Sequence, residues 1–276
     1  MAPDPHAAPM PTPTRRFRRR PLAAPRTLGF LAACLAAGLL LAALWRPDLS
    51  ALDDPPRSAA VLTGGTWASM VYVARVEGGV IAIDLGFDGD GDALRRALAR
   101  LDATPDEVVA VFLTHGHRDH VAAWRAVSRA RFYLGAGEVP RFLGREEHRG
   151  WVPRTVDRLV PVDLPDAAEV DLVGFASDTV VAFGADTVRL FPVPGHTPGS
   201  AAYLFRGTLF TGDAVAWTPV RGFHSAKRIY SDDVTRSRAS LAVLWDRLGD
   251  LPVARVCTAH GRCAAPTPAF RRATLR

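Results

Sequence analysis

Short apolar runs separated by glycine-bearing turns recur from residue 60 onward. Residues 69–76 and 79–85 read as a strand pair around Glu77-Gly78. Residues 92–101 follow helical spacing, with Leu94, Leu98 and Leu101 on one side. The run 108–113 (Val-Val-Ala-Val-Phe-Leu) predicts a buried strand, followed by a helical stretch over 120–130 and a short strand at 131–134. Residues 136–178 are less regular and richly charged, and are expected to be an insertion or lid, partly helical. Two hairpins are predicted next, 179–182 with 187–193 around Gly184-Ala185-Asp186, and 201–205 with 208–210 around Arg206-Gly207. Residues 231–248 predict a helix capped by Ser231 or Asp232, with Leu241, Leu244 and Leu248 on one face, and 253–257 a last strand. The alternation of strands and helices predicts an α/β fold with one large domain over 61–276. A proline-bearing linker over 46–60 precedes it.

The N-terminus reads differently. Residues 1–26 are expected to be a disordered tail, rich in Pro and Ala at first and then in Arg. Residues 27–45 carry no charge, and nineteen residues of helix span about 28 Å, close to a bilayer core. A signal anchor is therefore expected, with the tail cytoplasmic and the remainder outside, a cleaved signal peptide being the competing reading. Leu31-Ala32-Ala33-Cys34 has the form of a lipoprotein box but lies early in the apolar stretch.

The basic balance belongs to this tail. Residues 1–46 hold seven arginines and one acid, whereas the rest of the chain is neutral overall. The charge thus gives no support for a nucleic-acid surface. Cys257 and Cys263 could pair in an oxidising compartment, but their spacing alone does not establish a disulfide.

Three of the eight histidines fall in Thr114-His115-Gly116-His117-Arg118-Asp119-His120, directly after the strand at 108–113. Imidazole with carboxylate suits zinc and similar first-row ions. Three later segments repeat the plan of an apolar strand ending in a glycine-bearing loop with one ligand-type side chain. They present His196 (Pro194-Gly195-His196), Asp213 (Thr211-Gly212-Asp213) and His260 (Ala259-His260-Gly261).

This ordered set resembles the metallo-β-lactamase superfamily over roughly residues 60–262. The resemblance implies a four-layer αββα sandwich with ligands on loops along one sheet edge. It implies that His115, His117 and His196 bind one zinc ion, that Asp119, His120 and His260 bind a second, and that Asp213 bridges them. Asp119 and Asp213 are also expected to take part in catalysis, and iron or manganese would suit the same ligands. Asp84, in Ile83-Asp84-Leu85-Gly86, matches an acidic position near the ligands. It is expected either to orient a ligating imidazole or simply to stabilise a turn. Asp213 argues against a true β-lactamase, and a histidine at 117 against the flavodiiron branch. Glyoxalase-II-type thioesterases share the ligands but add a C-terminal helical region, and only sixteen residues follow His260. The expected activity is hydrolysis of a small-molecule ester, thioester or lactone. The alternatives are phosphodiester hydrolysis, or a non-catalytic metal-binding protein on the same scaffold. His6 falls in the tail, and His148, among charges, is expected to be solvated. His224, Trp217 and Tyr230 lie in one loop after Asp213; lining of a substrate cleft is the secondary reading, and core packing or partial exposure is expected for Trp217 and Tyr230.

Overall fold

The computed structural model describes residues 29, 34–37, 49–62 and 69–276. The chain divides into two units, Met1–Leu44 and Trp45–Arg276. In the first, the described residues are helical. The predicted tail and most of the predicted membrane span lie outside the described residues. Among those described, no helix is long and apolar enough to cross a membrane.

In the second unit, β1 (Ser58–Leu62), β2 (Met70–Val76), β3 (Gly79–Ile83), β4 (Val108–Phe112), β5 (Arg131–Gly135) and β6 (Asp171–Phe175) form a six-stranded sheet in sequence order. Pairing is antiparallel as far as β3 and parallel beyond it. The next strands are β7 (Thr179–Phe183), β8 (Asp186–Pro192), β9 (Ala201–Phe205) and β10 (Thr208–Phe210), then the hairpin β11 (Val215–Thr218) and β12 (Gly222–Ser225), then β13 (Arg255–Cys257) and β14 (Cys263–Ala264). The second six-stranded sheet runs β14-β13-β10-β9-β8-β7.

Two-residue periodicity sorts the side chains into layers. Met70, Tyr72 and Ala74 of β2, with Ile81 and Ile83 of β3, meet Ala201, Tyr203 and Phe205 of β9 in a core between the sheets. The alternate residues Val71, Val73, Val80 and Ala82 face the other way and pack with Leu94, Ala97 and Leu98 of α1 (Asp92–Ala99). On the far side, Ala202 and Leu204 pack with Leu241, Leu244 and Leu248 of a long helix, Val234–Leu248. Helices thus cover both outer faces of a two-sheet sandwich.

Several expectations change. The stretch 120–130 is only α2 (Arg118–Val121) and a 3-10 turn at Trp124–Val127. The His120 carbonyl accepts from Leu85 N at 2.8 Å rather than continuing an α-helical ladder. The region 136–178 is not simply an insertion. It contains α3 (Val139–Phe142), α4 (Trp151–Leu159) and β6, which pairs with β5 in the main sheet. The predicted linker already belongs to the fold: Leu49 and Leu52 enter the inter-sheet core, and β1 begins at Ser58. The long helix, α5, is capped by neither Ser231 nor Asp232 but by Asp233, whose carboxylate accepts from Arg236 N at 2.9 Å. A final helix, α6 (Pro268–Thr274), had no predicted counterpart.

Candidate metal centre

All seven predicted ligand residues converge at the strand ends. The segment after β4 carries His115 and His117 on a loop and Asp119 and His120 in α2; the segments after β8, β10 and β13 carry His196, Asp213 and His260. Hydrogen bonds between loops fix their spacing. Thr114 O accepts from Ala201 N at 2.8 Å, and Ala259 O accepts from Met70 N at 2.6 Å. Gly212, with φ +52°, lets the Asp213 loop close over Thr114; a Cβ there would lie 2.6 Å from the threonine side chain.

Three ring nitrogens meet at one point. His115 Nε2 and His117 Nδ1 are 3.0 Å apart, and His196 Nε2 is 3.1 Å from each. Ligands about 2.0–2.1 Å from a tetrahedral cation stand about 3.3 Å from one another, close to these separations. The opposite ring nitrogens set the tautomers. Ser231 Oγ donates to the Lys227 carbonyl at 2.8 Å, so its contact with His196 Nδ1 at 3.0 Å is one it accepts. His196 Nε2 therefore carries a free lone pair. Thr114 Oγ1 likewise donates to Asp84 Oδ2 at 2.8 Å and accepts from His115 Nδ1 at 3.1 Å, leaving His115 Nε2 unprotonated.

A second group holds Asp119, His120 and His260, with one ligand atom from each within 4.8 Å of the others; His115, His120 and Asp213 form a third group by the same measure. Asp213 lies 3.8 Å from His196 Nε2 and 3.1 Å from His260 Nε2, so it stands between the two sides. His120 Nδ1 donates to Asp84 Oδ2 at 2.8 Å, while its Nε2 is buried with no hydrogen-bond partner among the described residues. An unpartnered buried nitrogen is costly in a dry site and is explained by a cation. The donor set fits metal.

The electrostatics divide the site in the same way. Burial holds His115 and His117 well below the ordinary imidazole range, with His120 and His196 respectively adding repulsion. Burial also brings His196 down to about 4, although Asp213 opposes it. At His120, burial works against charge, but Asp119 and Asp84 outweigh it and raise the ring to about 10. Burial works against charge at Asp213 as well, but His260 and His196 keep its carboxyl well below the usual carboxylate range. The Asp119–His120–His260 side attracts positive charge, and the three-imidazole side offers lone pairs.

Asp84 is wholly buried, has φ +54° and accepts from Thr114 N (2.7 Å), Thr114 Oγ1 and His120 Nδ1. It orients a ring of the site. A cleft of about 270 Å³ opens over the centre. Its walls include Phe87, Pro153, Val156, Tyr230 and Lys227, and Asp119, Asp213 and His260 also border it. Tyr230 reaches the cleft, whereas Trp217 is stacked against Arg262, whose guanidinium carbon lies 4.2 Å from the indole ring centroid. His224 is buried in β12 with Nδ1 against Ser225 O at 2.6 Å, away from the cleft lining. His148 is not solvated. It is buried, its ring 4.6 Å from that of His117, and burial brings it down to about 4. Cys257 and Cys263 form a disulfide across the β13–β14 pair, at the base of the loop that carries His260. Sequence reasoning missed Glu138 and Arg141, both buried beside the ligand loops; the only local signal was charge inside an otherwise apolar stretch.

The profile of the Metallo-beta-lactamase superfamily matches residues 64–260. A hydroxyacylglutathione hydrolase of Anaeromyxobacter dehalogenans is 37% identical over 129 residues, covering 47% of this chain and 40% of that protein. This chain therefore spans less than half of that relative. A metallo-β-lactamase from Pontibacter korlensis superposes with TM-score 0.58 at 16% identity, covering 81% of this chain and 95% of the other. An archaeal metallo-β-lactamase superfamily protein from Sulfolobus tokodaii gives TM-score 0.54 at 19% identity, covering 79% and 84%.

Proposed function

The chain belongs to the metallo-β-lactamase superfamily, and from that premise we propose that it is a two-metal hydrolase acting on a small-molecule thioester, ester or lactone. The observation that carries this is the meeting of His115 Nε2, His117 Nδ1 and His196 Nε2, next to the Asp119–His120–His260 group with Asp213 between them. His115, His117 and His196 would hold one cation and Asp119, His120 and His260 the other, with Asp213 placed to serve both. Zinc is our first assignment on ligand chemistry, with iron or manganese accommodated. When bound, the cations supply Lewis acidity toward a carbonyl group and toward water.

The chain's own residues do the rest. Asp84 keeps His120 Nδ1 protonated, and Ser231 does the same for His196. Asp119 and Asp213 border the cleft and are the carboxylates we assign to catalysis. Phe87, Pro153, Val156 and the Tyr230 ring offer apolar walls to the substrate, with Lys227 as the cationic contact for a polar end. The thioester option is supported by the relative described above, which is named as a hydroxyacylglutathione hydrolase.

The test is a panel of acyl thioesters, aryl esters, lactones, phosphodiesters and β-lactams offered to zinc-loaded protein. We expect turnover of a carbonyl substrate that is lost on chelation and restored by metal. Absence of turnover of every thioester, ester and lactone by protein holding two metal equivalents would refute this reading. We also propose that the catalytic unit is anchored at a membrane and lies outside the cytoplasm. The Cys257–Cys263 disulfide and the arginine-flanked apolar stretch support that placement. A reporter fused after residue 276 that is active only in the cytoplasm would overturn it.

A further inference from the structure

We propose that buried Glu138 and Arg141, with partly buried Asp232, form an ionic brace that sets the spacing of the three-imidazole group, each acting as a positioning residue rather than a ligand. The inference rests on the two-cation reading of the site.

Glu138 is wholly buried, and one carboxylate reaches two ligand loops. Its Oε2 accepts from Gly116 N at 2.8 Å, between His115 and His117. Its Oε1 accepts from Gly199 N at 2.9 Å, three residues beyond His196. These loops extend from different sheets, so the carboxylate sets the distance between them. The approach is tight: a Cβ on Gly199 would lie 2.4 Å from Glu138 N. Arg141, 2% exposed, continues the chain of contacts. Its guanidinium is 3.5 Å from Glu138 Oε1 and 3.1 Å from Asp232 Oδ2. Asp232 closes the circuit, its N–H donating to the His196 carbonyl at 2.9 Å. Contacts therefore pass from Gly116 through Glu138, Arg141 and Asp232 to His196 without touching a ligand nitrogen.

The energetics argue for a geometric role. Burying an ion costs several kcal/mol, and a well-packed apolar group in its place is often as stable. An apolar group would not, however, accept two loop amides at a fixed separation. Burial of the site behind α3 would survive such a replacement; the spacing of His115 and His117 from His196 would not.

The experiment is a zinc titration of the full chain against a chromophoric chelator, resolving two dissociation constants. His117→Ala and His260→Ala identify which constant belongs to which group. In Glu138→Gln the shape is kept, but Gly116 N and Gly199 N can only donate, so one of them meets the new NH₂. We expect the constant lost in His117→Ala to weaken by about 10- to 100-fold, with the constant lost in His260→Ala unchanged. Asp232→Asn carries the same expectation from the other end of the brace and serves if Glu138→Gln does not fold. Unchanged constants, or equal weakening of both, would overturn the brace. If the wild-type chain failed to take up two zinc ions, the two-cation reading would fall, and the brace with it, which is a separable result.

Discussion

Asp84→Asn tests tautomer control at nearly constant shape, while also removing the carboxylate charge beside His120. Asparagine tolerates the φ of +54° at this position, so the exchange is nearly isosteric and introduces no backbone strain. Its two ends, however, are not free to choose. Thr114 N can only donate, so the amide oxygen must take the Oδ1 position and the NH₂ the Oδ2 position. That NH₂ then faces His120 Nδ1 and Thr114 Oγ1, both 2.8 Å from Oδ2 in the wild type. To avoid donor meeting donor, His120 must move its proton to Nε2, the nitrogen needed as a ligand. Thr114 Oγ1, now receiving from Asn, would turn its hydrogen toward His115 Nδ1, 3.1 Å away, and push that ring to the wrong tautomer too. Keeping a ligating tautomer instead leaves one buried hydrogen bond unmade per ring, at about 1–3 kcal/mol each. At 1.4 kcal/mol per tenfold, that is about 5- to 150-fold in affinity for each cation. Competitive zinc titration of purified protein measures it, and thermal unfolding in chelator checks that the fold is intact. Wild-type zinc affinity at both positions in a folded Asp84→Asn protein would refute the reasoning.

His115→Ala and Asp213→Ala should each lower bound metal and hydrolysis together, read by elemental analysis and the substrate panel; normal metal content in both would contradict the ligand assignment. Cys257→Ser with Cys263→Ser opens a loop of six-residue separation. The chain-entropy relation puts this at about 2 kcal/mol, or a Tm lower by about 4–8 °C, with weaker binding of the cation held by His260; an unchanged Tm would argue against it. The Arg206 guanidinium donates to Asp186 through Nε at 2.8 Å and also to the Arg75 carbonyl, and this hydrogen bonding holds the Asp186 carboxyl below its usual range. Since the folded value is the lower one, the stabilisation is present above the ordinary carboxylate pKa and lost as pH falls through the folded value. Asp186→Asn should therefore cost about 1 kcal/mol at pH 7, less as the pH falls below 4, as followed by denaturant melts; an equal cost at every pH would rule out the ion pair.

Much of this was legible in the residues. The alternation of Met70, Tyr72 and Ala74 with Val71 and Val73 already marks a strand buried on both faces, and Leu241, Leu244 and Leu248 mark one face of a helix. The glycine-flanked loops bearing His115 to His120, His196, Asp213 and His260 could be picked out because each follows its own strand. The edge strand at Ser58–Leu62 was hidden behind prolines, and β6 within a charged stretch; both sit at sheet edges and are held by pairing, β1 with the neighbouring β2 and β6 with the more distant β5, rather than marked by local periodicity.

The sequence by itself determined which side chains can ligate metal and in what order the loops present them, because strand periodicity and ligand chemistry are local properties. Only the tertiary structure decided which ring nitrogen of His115, His120 and His196 carries the lone pair, and that Thr114, Asp84 and Ser231 make it so. It also revealed a buried His148 where a solvated one was expected, and gave Glu138 its two partners in Gly116 and Gly199, 22 and 61 residues away. Such roles depend on what packs against a group in three dimensions, and neighbours brought together from separate sheets leave no periodic trace along the chain.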